Sequence, residues 1–186
     1  YSSAASDVYK RQVQNRESPQ WLKNRLIGIG LNPISALVDI TNYLTFDRAR
    51  PLHVFDADKL SGGLTVRRSF EGEKFHALDD KIYELNEGMI VITDEKEIVS
   101  LGGIIGGMKS AVSDETKNVL LEAAYFDPIS IAATGRKLQI NSDARYRFER
   151  GVDPSFTLSG SHIATKMILD LCGGEASDII LSLIHI

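Results

Sequence analysis

The feature that most constrains the fold is a change of hydrophobic period along the chain. Apolar residues recur at helical spacing before about residue 50 and after about residue 127, whereas residues from about 63 to 126 form short β-prone runs between polar turns. Helices at both ends of a run of consecutive strands predict an α+β fold, with mostly antiparallel sheets flanked by helices. No repeat or linker interrupts the pattern, so residues 17–175 are predicted to form a single compact domain.

Local signals place the individual elements. Helix starts are predicted where a capping residue precedes proline, because proline lacks the N–H that would go unpaired in the first turn. These sites are Ser18-Pro19, Asn32-Pro33, Asp127-Pro128 and Asp153-Pro154. Strands are predicted over 64–67, 89–92, 98–101 and 119–125, with a hairpin over 73–85.

The two ends of the chain differ from the rest. Residues 7–12 and 181–186 resemble translated sequencing-adapter sequence, so residues 1–12 and 181–186 are left out of the functional argument. Residues 1–16 are expected to be a non-native or disordered tail. Residues 176–186 are expected to be the start of a linker followed by a non-native tail.

Composition excludes several classes of function. A net charge of −4 argues against a basic coat for nucleic acid, although it allows a local basic patch. The single cysteine excludes an internal disulfide framework and a multi-cysteine zinc site. No histidine stands at metal-ligand spacing from a carboxylate, so no protein-held metal is predicted. The longest apolar stretch, 101–108, is half glycine and far too short to span a membrane.

Two polar residues stand out as candidates for chemistry. Glu122 interrupts an apolar strand; alternation allows a solvent-facing position, yet the apolar neighbours favour burial beside a partner or ligand. His53 follows a predicted helix and is either a structural histidine or a functional one.

The glycine-rich segment 102–107 lacks the glycine before lysine that a phosphate-binding loop needs, because Met108 precedes Lys109. Three interpretations remain: a bulged strand, a turn that a neighbour approaches closely, and a wall of bare backbone beside a ligand.

A basic segment with interleaved aromatic residues follows the strands. Arg145, Arg147 and Arg150 alternate with Tyr146 and Phe148. This pattern is typical of RNA contacts that combine phosphate binding with base stacking. An internal network of ion pairs explains each arginine equally well.

Six blocks in this order resemble the editing region of the bacterial phenylalanyl-tRNA synthetase β subunit: 18–22, 37–43, 50–59, 101–107, 118–128 and 145–154. The last block, Arg145-Tyr-Arg-Phe-Glu-Arg-Gly-Val-Asp-Pro154, is highly specific. The resemblance covers about residues 17–175.

The resemblance implies a domain that hydrolyses tyrosine mischarged onto tRNA(Phe), within a cytoplasmic heterotetramer of two α and two β subunits. It implies no cofactor in this fragment, with ATP and Mg²⁺ used by the α subunit, and no membrane partner. The alternative is a non-catalytic RNA-binding or scaffold domain of the same architecture.

The resemblance also implies roles for residues. The catalytic candidates are His53, which would orient water or the terminal adenosine, and Ser142, where the family often has threonine. Glu122 would accept the phenol O–H of tyrosine, and a water assisted by the terminal hydroxyl of the tRNA would attack the ester. The predicted substrate-binding residues are Thr41, Asn42, Gly106, Gly107, Glu122 and Ala144, and the RNA-contact candidates are Arg145, Arg147 and Arg150.

Overall fold

A computed structural model describes the backbone of residues 2–185 and the side chains of residues 8–181. The helices are α1 Gln20–Gly28, α2 Ala36–Asp47, α3 Pro128–Leu138, α4 Asp143–Phe148 and α5 Thr157–Cys172. The strands are β1 Ser2–Arg11, β2 His53–Asp56, β3 Thr65–Arg68, β4 Lys74–His76, β5 Ile82–Glu84, β6 Ile90–Thr93, β7 Ile98–Leu101, β8 Ile105–Gly106, β9 Val119–Ala124, β10 Glu175–Ala176 and β11 Ile180–His185. Each strand pair in this part of the chain is antiparallel, which confirms the predicted α+β class.

The structure places some helix starts at the predicted residue and others a few residues later. Helix α3 begins at Pro128, and the Asp127 carboxylate accepts a hydrogen bond from the Ser130 N–H at 2.8 Å. Helix α2 begins only at Ala36, because the Asp39 carboxylate accepts the Ile34 N–H and keeps the preceding residues extended. The Asp153-Pro154 signal opens a 3₁₀ turn, Pro154–Phe156, that leads directly into α5.

The strands form two main sheets. The first has the order β10-β1-β9-β2, and β11 also pairs with β1. The second has the order β3-β6-β7-β8, and β4 and β5 form a separate hairpin. One apolar core lies between the first sheet and the helices α1, α2 and α5. The other core lies between the two sheets, so the first sheet is covered on both faces.

Strand β9 contributes to both cores through its alternation. Val119 and Leu121 pack among the helices, whereas Leu120 and Ala124 pack towards the second sheet. Because side chains alternate along a strand, Glu122 lies on the same face as Leu120 and Ala124. Its side chain is buried, with 8% of its surface exposed, so the solvent-facing alternative for Glu122 is wrong.

The segment expected to be a tail is a strand in the structure. Ser2–Arg11 pairs with β9 on one side and with β10 and β11 on the other. Lys10 of this strand is fully buried, and its amino group has no hydrogen-bond partner among the described side chains. Burial lowers the pKa of Lys10 to about 8. An unpaired buried cation is costly, so burial favours the neutral form of this amine.

We predict that Phe126→Ala lowers the free energy of unfolding by about 3–5 kcal/mol, the usual range for loss of a buried aromatic ring. Phe126 is 2% exposed, and its ring packs edge-to-face on Phe148 with centroids 5.2 Å apart. Phe70→Ala is the matched control, because Phe70 is 65% exposed, and we expect a loss of less than about 1 kcal/mol. Equal losses in urea unfolding would show that Phe126 does not anchor the core between the sheets.

Candidate functional site

A cavity of about 90 Å³ lies between the two sheets, beside α4. Its walls come from strands β2 and β9 of the first sheet, from the β7–β8 turn of the second sheet, and from α4. The sequence-predicted residues that line it are His53, Gly106, Glu122 and Ala144. These residues lie far apart in the sequence, and the fold brings them together.

Backbone register places Glu122 beside His53. The two residues are directly paired across β9 and β2. Directly paired residues of an antiparallel sheet point to the same face, with Cβ atoms about 5 Å apart. The carboxylate and the imidazole are therefore neighbours on the cavity wall.

The His53 ring is half-buried, but its Nε2 atom is shielded from solvent and has no hydrogen-bond partner among the described side chains. The ring packs edge-on against Phe55, with centroids 4.4 Å apart. Desolvation lowers the pKa of His53 to about 4. The imidazole is therefore neutral at pH 7.

The glycine-rich segment allows close approach of side chains. A Cβ on Gly106 would lie 2.4 Å from His53 Cε1, so only glycine leaves room for the ring in this position. Gly103 has a φ of +69°, and a Cβ there would lie 2.8 Å from Phe126 Cδ2. Both glycines also line the cavity. Two of the three interpretations of this segment therefore hold for the same glycines, which are approached closely by neighbouring rings and also form a wall of the cavity.

Helix α4 supplies the third wall, and the helix starts predicted from the sequence do not include it. The Ser142 hydroxyl donates to the Ile104 carbonyl at 2.6 Å and accepts the Arg145 N–H at 3.0 Å. It thereby caps α4 and joins it to the β7–β8 turn. The signal for this helix was present, because Ser142 precedes an acidic first turn and Ala144 and Phe148 are four residues apart.

Other predicted residues do not line the cavity. Thr41 is buried in α2, where its hydroxyl donates to the Val38 carbonyl, and Asn42 follows it in the helix. Gly107 forms a bridge with Ala77 and packs against Val99. The cavity is also lined by Ser100, Phe126 and Phe148, which the sequence does not mark, because ordinary strand and core positions carry no local signal of a site.

The three arginines of the basic segment have different surroundings. Arg145 is mostly buried and binds Glu149 and the Ile140 carbonyl, so the ion-pair interpretation fits it. Arg147 stacks on the Phe46 ring at 4.2 Å and binds Asp143. Arg150 has the most exposed side chain of the three, with 54% of its surface accessible.

Among the described residues, no three histidine, cysteine, aspartate or glutamate side chains are grouped so that they would hold a metal ion. No helix in the described part of the chain is long and apolar enough to cross a membrane.

We predict that His53 titrates near pH 4 in the folded chain, and that Gly106→Ala raises this pKa towards 6.5 by displacing the ring into solvent. The unfolded chain binds more protons than the folded chain between these values, so His53 makes the protein less stable as pH falls from about 6.5 to about 4. The measurement is the NMR titration of the imidazole C–H signal. Gly63→Ala is the control, because a Cβ there has open space. An unchanged pKa in Gly106→Ala would contradict the assigned packing.

Comparison with known proteins shows which proteins this chain resembles in sequence. The phenylalanine–tRNA ligase β subunit of Ruegeria pomeroyi is 58% identical over 172 residues, which are 92% of this chain and 22% of that protein. The same subunit of Rhodospirillum rubrum is 58% identical over 175 residues, 94% of this chain and 22% of that protein. The chain therefore spans about a fifth of the length of these relatives.

A solved structure shares the fold. It is an N-terminal fragment of the phenylalanyl-tRNA synthetase β subunit from Pyrococcus horikoshii, with a TM-score of 0.53 and 13% identity over 94% of this chain and 46% of that one. The family model described as the B3/4 domain matches residues 3–173. Because this match covers most of its length, the chain belongs to the B3/4 domain family.

Proposed function

We propose that this chain is the editing domain of a phenylalanine–tRNA ligase β subunit, and that it hydrolyses tyrosyl-tRNA(Phe). The relatives that carry the subunit's name support the first part. The observation that carries the second part is the convergence of His53, Gly106, Glu122 and Ala144 on one cavity.

The need for such a domain follows from the chemistry of the two amino acids. A hydrophobic pocket for phenylalanine rejects tyrosine only weakly, because tyrosine adds only one hydroxyl, so a second hydrolytic site improves accuracy. The second site has to recognise that hydroxyl. Glu122 is a buried acceptor on the cavity wall and is suited to accept the phenol O–H. A hydrogen bond to a charged group contributes about 1.5–3 kcal/mol, which corresponds to about 10- to 150-fold discrimination.

The volume of the cavity limits how the substrate binds. At about 90 Å³ it is smaller than the apolar cavity of about 150 Å³ that admits benzene. A phenol ring therefore enters only when lining side chains move, or part of the ring stays at the mouth. Two of the lining residues, Ala144 and Gly106, already have the smallest side chains available.

In the proposed reaction, the oxygen of a water molecule bonds to the carbonyl carbon of the ester. The bond from that carbon to the ribose oxygen breaks, and the ribose oxygen takes up a proton from the water to become a hydroxyl. With a pKa of about 4, His53 is a weak general base at neutral pH, so we assign it the orientation of the water or the terminal adenosine. Activation of the water is assigned to the terminal hydroxyl of the tRNA.

The structure changes the role proposed for Ser142. Its hydroxyl already bonds both the Ile104 carbonyl and the Arg145 N–H, so we assign it the positioning of α4 and not a step of the reaction. Thr41 and Asn42 remain proposed substrate-binding residues from the resemblance, as does Gly107.

The remaining parts of the proposal concern the whole enzyme. The partners would be tRNA(Phe) and the α subunit, in a cytoplasmic heterotetramer of two α and two β subunits. ATP and Mg²⁺ would belong to the α subunit, with no cofactor in this domain. The second candidate function is an RNA-binding or scaffold domain without catalysis, and it is separated from editing by the hydrolysis assay below.

We predict that the chain deacylates tyrosyl-tRNA(Phe), either alone or when it replaces the corresponding domain of the Ruegeria pomeroyi subunit in its synthetase. Ala144→Trp should abolish deacylation, because the added ring fills the cavity that would hold the substrate ring. Ala133→Trp, on the exposed side of α3, is the matched control and should retain activity. Absence of hydrolysis in both formats would support the scaffold function and overturn editing.

We predict that Glu122→Ala lowers the preference for tyrosyl- over phenylalanyl-tRNA(Phe) by about 10- to 150-fold, and that Glu122→Gln lowers it less. Glutamine keeps an acceptor without the charge, whereas alanine leaves the phenol O–H without this partner. The measurement is the ratio of deacylation kcat/KM for the two charged tRNAs. Glu84→Ala, at an exposed position of β5, is the control. If both substrates slow by the same factor, Glu122 does not determine specificity.

A further inference from the structure

A second cleft lies on the opposite side of α4 from the cavity. Its walls are the end of α2, the outer face of α4 and the segment up to the 3₁₀ turn Pro154–Phe156. Its volume is about 650 Å³, within the range of about 300–1,000 Å³ for small-ligand sites. Four arginines and two aspartates line it, in a chain whose net charge is −4.

Two arginine–aromatic stacks form the cleft. Arg147 Cζ lies 4.2 Å from the centroid of the Phe46 ring, and Arg150 Cζ lies 3.7 Å from the centroid of the Tyr146 ring. Tyr146 is 56% exposed, so this stack is open to solvent. Proteins that bind single-stranded RNA stack its bases on flat aromatic and guanidinium surfaces and contact its phosphates with positive charges.

The two arginines of these stacks differ in how firmly their present partners hold them. Arg147 pairs with Asp143 at 3.3 Å and Arg150 with Glu149 at 2.8 Å, and the Asp143 and Arg150 side chains are more than half exposed. An ion pair with an exposed partner contributes little to stability, so a phosphate competes for Arg150 at small cost. Arg147 is only 16% exposed and also donates to the Asp143 carbonyl at 2.9 Å, so it keeps these partners beside a bound phosphate. Arg50 differs, because it is buried and donates to the Ala124 and Asp153 carbonyls, which shapes the cleft.

The cleft is one helix diameter away from the cavity. Ala144 and Phe148 of α4 face the cavity, whereas Tyr146 and Arg147 face the cleft. An α-helix with its side chains is about 10–12 Å across, a distance that about three stacked nucleotides cover at about 3.4 Å each.

We propose that this cleft binds the single-stranded end of the tRNA, namely the nucleotides before the terminal one that carries the amino acid. A base stacks on the Arg150–Tyr146 surface, and phosphates contact Arg147 and Arg150. The identity of the RNA in this inference rests on the proposed editing function. The cleft as an RNA-binding surface rests only on the two arginine–aromatic stacks.

The first test is independent of catalysis. A short single-stranded RNA with the sequence of the tRNA 3′ end is titrated against the chain by fluorescence anisotropy. Tyr146→Ala and Arg150→Ala should each raise the Kd about tenfold. Arg150→Ala should also reduce the slope of log Kd against log salt concentration by about the value of one phosphate contact. Arg25→Ala, which removes another exposed arginine, on α1, is the matched control. Binding equal to that of the control would overturn the proposal.

The second test separates the cleft from the cavity. Tyr146→Ala and Arg150→Ala should raise KM for tyrosyl-tRNA(Phe) about tenfold, yet leave hydrolysis of a tyrosyl ester of adenosine unchanged, since that ester lacks the preceding nucleotides. Equal losses on both substrates would place these residues in the reaction site and overturn the proposal. If neither substrate is hydrolysed by the unaltered chain, either alone or within the synthetase, editing fails, while the anisotropy result still decides whether the cleft binds RNA.

Discussion

The structure depends on one strand that is buried on both faces. Strand β9 pairs with β1 and β2 and carries apolar side chains into the helix-side core and into the core between the sheets. Glu122 is the one position of this strand where a carboxylate replaces an apolar side chain. Because the strand is fixed by two cores and two neighbours, the carboxylate is held in place without contributing to either core. That rigidity suits a residue proposed to recognise a single hydroxyl group.

Close packing around glycine brings the second sheet to this strand. Gly103 of the β7–β8 turn and Gly106 of β8 lack the Cβ atoms that would collide with Phe126 and His53, so backbone and rings approach each other directly. The same contacts shield His53 Nε2 and lower the pKa of the ring. A neutral imidazole, a buried carboxylate and small walls at Gly106 and Ala144 then share one cavity. This combination is consistent with the proposal that the cavity recognises and orients its substrate and that the protein supplies no acid–base chemistry of its own.

Helix α4 connects the two sites that we propose. It has only six residues; the Ser142 hydroxyl joins it to the β7–β8 turn, and the Arg145–Glu149 ion pair spans its last turn. Its inner side closes the cavity and its outer side carries the arginine–aromatic cleft. A ligand that occupies both sites has an aromatic amino acid at one end and a nucleic-acid strand at the other. A mischarged tRNA has this composition.

The sequence alone determined the α+β class, the start of α3 and the set of residues that resemble an editing site, because these depend on local periodicity, capping and motif order. It left open whether Glu122 faces solvent or the interior, and the packing of the second sheet over β9 decided that it is buried. It did not determine that His53 starts an edge strand paired with Glu122, since pairing joins residues 69 positions apart and leaves no local signal. Nor did it distinguish the roles of the three arginines, because each role depends on the side chain that packs beside it. These neighbours are Glu149 for Arg145, Phe46 for Arg147 and Tyr146 for Arg150. Local patterns fix which residues are buried or helical, whereas only the packing of distant segments decides which of them meet around a cavity.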